Sequence, residues 1–293
     1  MLKLILSIII LSTVLFPFFT ISEAETPEKI LVFTSILPQK YFVDRIGGNF
    51  VDVKVMVGPG RSPATYEPTP KKISELSKAN IYFSVGVPFE NVWIKKIEGA
   101  NPDLKMVDTL KGITLRTMES HKHGHHDHGG LKDPHIWLSP SLVKVQAGTI
   151  SNALCEVSPS HREYFMKNLE LFQRDLDKLI VDIDKLLKPL KRRQIMLFHP
   201  VLGYFCDEFN FEQISIEVEG KEPGAKTLGE IIEKARANRI RTIFVQQQFS
   251  QVTAKRVAES VGAEAIIFDP LAYEYDSNML YIARLIERAC RGD

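Results

Sequence analysis

Cysteine is scarce. The 293-residue chain has three, Cys155, Cys206 and Cys290, and their spacings match no cysteine-based zinc motif. An odd number leaves room for one disulfide; the pairing stays open, with a bridge within the C-terminal half favoured. Net charge is lacking too. Thirty-seven basic residues stand against 36 acidic ones, a balance of +1, so no basic field points to nucleic acid. Beyond the first two dozen residues no apolar run is long enough to cross a bilayer. No His-Glu-x-x-His helix motif occurs, which removes a common zinc-hydrolase signature. The rest is ordinary globular composition, 44% hydrophobic and 25% charged, in a chain long enough for one large or two medium domains.

The first residues read as an export signal. Lys3 precedes an apolar run over 4–21, and Ser22-Glu23-Ala24 places small residues where a signal peptidase cuts. The mature chain is expected to start near Glu25. The alternative is an uncleaved anchor, for which the run is near the short limit. No cysteine stands at the junction to carry a lipid.

Histidine, by contrast, is concentrated. Six of the eight histidines fall between His121 and Pro140, and only His161 and His199 lie elsewhere. Imidazole is a common ligand for zinc and suits copper and nickel. His121, His123, His125, His126 and His128 share a polar, glycine-spaced stretch that predicts a mobile loop able to gather metal. His135 differs: a proline precedes it and Ile136, Trp137 and Leu138 follow, so it is expected in a packed site.

Strand-like runs alternate with helical patterns along the chain. Strands are predicted at 30–36, 51–57, 81–85 and 104–107, and again at 194–198, 211–218, 241–245 and 265–268, with helices between them. Thr69 before Pro70, and capping boxes at 160–163 and 227–230, read as helix starts. Between the two sets Phe165, Leu169, Phe172, Leu176, Leu179, Ile183, Leu186 and Leu190 recur at spacings of four and three. They predict one amphipathic helix stopped near Pro189, about 40 Å long at 1.5 Å per residue. The seam also suits a coiled coil, but the βα pattern resumes at once and needs the helix as a connection. The predicted fold is α/β: two βα lobes with parallel sheets, joined by a single long spine helix. The expected bounds are a signal peptide over 1–24, an N-terminal lobe over 25–158 with a histidine-rich loop at 121–130, a linking helix over 159–190 and a C-terminal lobe over 191–293.

Open α/β sheets bind ligands beyond the carboxyl ends of their strands. There stand His199, Asp269, the glutamines Gln246, Gln247 and Gln248, and the loop 63–67, with His135 beyond the fourth strand. Facing lobes would gather two imidazoles and one carboxylate, a zinc-type set with at least one position unfilled. Each residue also has a plain structural role. His199 fits a core histidine, Asp269-Pro270 a turn, and His135 a buried pair with Asp133.

Gly58-Pro-Gly60, Tyr66-Glu-Pro-Thr-Pro70, Asp133-Pro-His-Ile-Trp-Leu-Ser-Pro140, Phe198-His-Pro200 with Gly203-Tyr-Phe205, Gln248-Phe-Ser250 and Asp269-Pro-Leu271 together carry a resemblance. Over nearly its whole mature length the chain resembles the zinc- and manganese-binding periplasmic receptors of bacterial ABC importers. The resemblance implies a monomer that captures a divalent ion between its lobes, zinc ahead of Mn2+ or Fe2+, and hands it to a membrane permease. It implies no catalytic group. It implies three histidines and a carboxylate on the metal, with His135 and His199 as the second and third histidines and Asp269 as the carboxylate. The first histidine is replaced by Ala64, which cannot coordinate, and Gln246 stands where many members have glutamate. Water, Glu67 or a histidine of the loop is left to complete the shell. Two other readings stay open. One is a zinc-dependent hydrolase using an open site of two histidines and an aspartate. The other is a receptor with an altered site that binds chelated metal or an organic ligand.

Overall fold

The structure, a computed structural model, describes residues 29–118, 131–217, 224–249 and 251–291. The segment expected to be a signal peptide, 1–24, and the histidines of 121–128 lie outside them. The first half runs β1 (Ile30–Thr34), α1 (Leu37–Gly47), β2 (Val51–Val55), α2 (Pro70–Leu76), β3 (Ile81–Ser84), α3 (Pro88–Ala100), β4 (Lys105–Asp108) and α4 (Pro140–Val157). The long α5 (Arg162–Leu187) follows. The second half runs β5 (Gln194–Leu197), α6 (Gly203–Phe209), β6 (Glu212–Ser215), α7 (Ala225–Ala237), β7 (Thr242–Gln246), α8 (Gln251–Val261), β8 (Glu264–Phe268) and α9 (Tyr275–Cys290).

Each half builds a four-stranded parallel sheet, ordered β2-β1-β3-β4 and β6-β5-β7-β8. The same order therefore recurs, second-first-third-fourth. In both, chain direction across the sheet reverses beside the first strand, which opens a crevice at the carboxyl ends of β1 and β3 and of β5 and β7. The α/β architecture with two parallel sheets and a spine helix is the one the patterning predicts.

Helix starts follow local chemistry where the backbone is free to obey it. Thr69 Oγ1 accepts from Lys72 N at 3.3 Å with Pro70 in the first helical position, as expected. The two capping boxes do not form. Pro159–His161 winds into a 3-10 turn, α5 starts at Arg162 with no side-chain cap, and Ser158 Oγ lies 2.7 Å from His161 Nδ1. Helix α7 opens at Ala225 after Gly224, so Thr227 falls inside its first turn.

The spine buries Phe165, Leu169, Phe172, Leu176, Leu179, Ile183 and Leu187. Leu187 takes the place predicted for Leu186, because the last spacing is four rather than three. One apolar core runs unbroken from Val32, Phe33 and Phe83 of the first sheet through α5 to Leu197 of the second and Met279, Ile282 and Ile286 of α9. Each such side chain contributes roughly 1.5–3 kcal/mol by burial. A smaller core of Ile214, Ile231, Ile243 and Val257 closes the other face of the second sheet under α7 and α8.

The halves are also tied by polar contacts from the start of α9 to α1. Tyr41 donates to Asp276 and Tyr273 to Asp44, both at 2.8 Å, and the Phe42 and Tyr275 rings meet at 5.0 Å. All three cysteines are buried and unbridged. The favoured C-terminal disulfide is absent: Cys206 lies within α6, whereas Cys290 ends α9 with its Sγ 4.0 Å from Gln194 O.

Candidate metal centre

His199 stands two residues beyond β5, held on three sides. Gln246, the last residue of β7, clamps its main chain: His199 N donates to Gln246 Oε1 at 3.3 Å, and Gln246 Nε2 donates to His199 O at 2.7 Å. The Phe249 ring stacks on the imidazole with centres 5.1 Å apart. His199 Nδ1 lies 2.7 Å from Glu217 Oε2, and that side chain is only 4% exposed. Glu217 is fixed in turn by its own N–H, which donates to Phe198 O at 2.8 Å. A carboxylate on Nδ1 selects the tautomer that leaves Nε2 with its lone pair free. His199 is therefore not a core histidine satisfied by the backbone.

His135 arrives from the first half with the same arrangement. Asp133 Oδ1 accepts from His135 N at 2.9 Å and lies 2.7 Å from its Nδ1. The buried pair expected as an alternative thus exists, and it too leaves Nε2 for another partner. Burial lowers the His135 pKa against the pull of Asp133, so the ring stays neutral at lower pH than a free histidine. The ring centres of His135 and His199 are 5.4 Å apart at 77°. Two imidazoles on one zinc, with N–metal bonds of about 2.0–2.1 Å, put their centres roughly 5–6 Å apart. The pair is spaced for a shared ion.

Asp269 follows β8 directly. Its Oδ1 accepts from Leu271 N at 2.9 Å and from Gln248 Nε2 at 2.8 Å, so it serves the turn that the Asp-Pro pair suggests. The turn is joined to the histidine segment by Trp137, whose Nε1 donates to Pro270 O at 2.9 Å. Ala64 and Glu67 are exposed on the loop before α2. Among the described residues no three His, Cys, Asp or Glu side chains close on one point. The structure thus brings His135 and His199 together with a carboxylate behind each. Asp269 stands at the adjoining turn, and Glu67 on the exposed loop.

A third buried carboxylate stands beside the residue that touches the loop. Glu90, 2% exposed, accepts from Ser35 Oγ, from Val85 N at 3.0 Å and from Gly86 N at 2.8 Å. Burial pushes its pKa up to about 7. The adjacent Phe89 donates its N–H to Pro63 O at 3.3 Å and packs its ring 5.2 Å from Tyr66. Sequence reasoning missed Glu217, Glu90 and the Gln246 clamp. Glu217 fell inside the strand predicted over 211–218, whereas β6 ends at Ser215.

The family model for ZnuA, the periplasmic component A of a zinc-uptake complex, matches residues 32–289. The high-affinity zinc uptake system protein ZnuA of Bacillus subtilis is 26% identical over 270 residues, covering 87% of this chain and 84% of its own. The zinc-binding lipoprotein AdcA of Streptococcus pneumoniae is 25% identical over 260 residues, 85% of this chain and 52% of its own. Among solved structures, a zinc-bound deletion mutant of ZnuA superposes with a TM-score of 0.85 at 38% identity, covering 91% of this chain and all of the other. With a family match spanning both sheets and the spine between them, the chain belongs to the ZnuA family of zinc-uptake proteins.

Proposed function

We propose that this protein captures zinc between its two halves and delivers it to an ABC permease in the membrane. The carrying observation is the pair of imidazoles 5.4 Å apart, each with its Nδ1 against a buried carboxylate. His135 and His199 bind through Nε2, Asp269 adds a carboxylate oxygen, and water or Glu67 completes the shell in the absence of a histidine at Ala64. His121, His123, His125, His126 and His128 collect metal more weakly. The protein acts as a monomer in the periplasm after removal of residues 1–24, with lobes over 25–158 and 191–293 on either side of a linking segment over 159–190. The chain is a receptor of an uptake system and not an enzyme. The family match favours neither the hydrolase nor the altered-ligand reading.

The test is a calorimetric zinc titration of chelator-stripped protein beside its Ala64→His and 121–128 deletion variants. One tight site in wild type, sharpened by Ala64→His and retained with lower stoichiometry after the deletion, is expected. Weak binding alone in wild type, with a tight site only in Ala64→His, would sink the reading. Loss of all tight binding in the deletion would make the histidine-rich segment the source of the missing ligand.

A further inference from the structure

We propose that Arg116 is a positioning residue for the metal centre, acting on His135 through Asp133, and that Gly203 is glycine to admit its guanidinium. The inference rests on His135 being a zinc ligand. Arg116 and Asp133 lie 17 residues apart in sequence yet meet at three points. Asp133 N donates to Arg116 O at 3.0 Å. The Tyr204 hydroxyl bridges them, accepting from Arg116 N at 3.1 Å and donating to Asp133 O at 2.8 Å. The Arg116 guanidinium lies over the Tyr204 ring, 5.9 Å from its centre, with Nη1 3.9 Å from Asp133 Oδ2. Its Nε reaches the exposed Asp207 at 3.3 Å.

Asp133 has a divided carboxylate. Oδ1 is taken by the N–H and Nδ1 of His135, while Oδ2 is buried without a hydrogen bond and faces Arg116. With its side chain 1% exposed and Oδ2 aimed at Arg116, this carboxylate is held in orientation by the guanidinium beside it. That guanidinium stands on the side away from His135. Gly203 makes the space: a Cβ there would stand 1.5 Å from Arg116 Nη1 and 2.8 Å from Asp133 Oδ2. The helix that follows His199 in the second half thus leaves a gap, and that gap serves the histidine of the first half. Removing Arg116 frees Asp133 to turn from His135, and the imidazole loses the partner that fixes its proton on Nδ1.

The experiment uses the full chain with 15N-labelled histidine and two readouts. The first is the tautomer of His135 in metal-free protein by NMR; the second is zinc affinity by chelator competition. Wild type is expected to hold His135 as the Nδ1–H form, and Arg116→Lys, which keeps the cation but loses the planar fork over Tyr204, to fall between wild type and Arg116→Gln in both readouts. Arg116→Gln is expected to mix the tautomers and weaken zinc by roughly 10–100-fold. Gly203→Ala, which displaces the guanidinium without removing it, is expected to do the same and serves if Arg116→Gln does not fold. In an Asp133→Asn background Arg116→Gln should add less than about twofold, the mark of action through that carboxylate. An unchanged tautomer and affinity in Arg116→Gln, or full additivity with Asp133→Asn, overturns the proposal. If wild type itself binds no zinc tightly, the receptor reading fails while the tautomer of His135 still decides the role of Arg116.

Discussion

The carboxylate of Glu217 stands 2.7 Å behind the Nδ1 of His199, on the far side of the ring from the nitrogen left free. It orients the imidazole and fixes its proton on Nδ1, which leaves Nε2 for the proposed metal. Glu217→Gln is expected to weaken zinc by roughly 10–100-fold, measured by competition with a chromophoric chelator. His199→Ala should remove the tight site altogether. Equal affinities in Glu217→Gln and wild type would show that the pair has no part in binding.

Trp137 couples the two halves and reports on the site. The chain has two tryptophans, Trp93 and Trp137, and only the second lies beside His135, ring centres 5.2 Å apart. Zinc is expected to change the emission of a Trp93→Phe variant as much as that of wild type. Trp137→Phe should abolish the change and lower stability by about 1–3 kcal/mol, since Pro270 O then loses its buried donor. A zinc signal surviving in Trp137→Phe would place the ion elsewhere.

Glu90 makes stability depend on pH in an unusual direction. Its folded pKa of about 7 exceeds the value of about 4.3 in an unfolded chain. The folded state therefore binds more protons across that window, and stability falls as pH rises from about 4.3 to about 7 before levelling off. Glu90→Gln has no charge to bury. Its thermal midpoint is expected to gain on that of wild type by roughly 3–10 °C between about pH 5 and pH 8. A constant gap across that range would mean that Glu90 is ionised throughout.

The cysteines offer a direct check on packing. Cys155, Cys206 and Cys290 are buried and unbridged, and burial pushes the Cys290 thiol up to about 11. A thiol reagent should label none of them in the native protein at neutral pH and all three in denaturant without reductant. Labelling of only one in denaturant would reveal a disulfide.

The sheets and the spine were legible in the sequence because their signals are long. Seven of the eight residues assigned to the spine seam are buried, from Phe165 to Leu190, and only the final step slid from Leu186 to Leu187. His135, His199 and Asp269 could be singled out because strand ends are where such sheets bind. Glu217 could not, because the alternation of Ile214, Ile216 and Val218 extends the strand pattern to 218, whereas the strand ends at Ser215. The carboxylate was hidden inside an element drawn too long. Ser160 and Thr227 misled for a related reason: a capping box is a four-residue signal, and a 3-10 turn in one case and an earlier helix start in the other outweighed it. The ties of Asp44 and Asp276 to residues more than two hundred positions away have no local signature at all.

The apolar core that passes uninterrupted through α5 and α9 sets how the cargo can leave. Swinging the halves apart far enough to expose about 400 Å² of that core would cost roughly 10 kcal/mol at about 25 cal/mol per Å². That nearly matches the whole free energy of a nanomolar complex, about 12 kcal/mol. Opening as a jaw on that scale would offset most of the binding free energy. With zinc on His135 and His199 as proposed, release would instead run through rotation of those imidazoles and displacement of the turns that carry them, motions that leave the shared core closed.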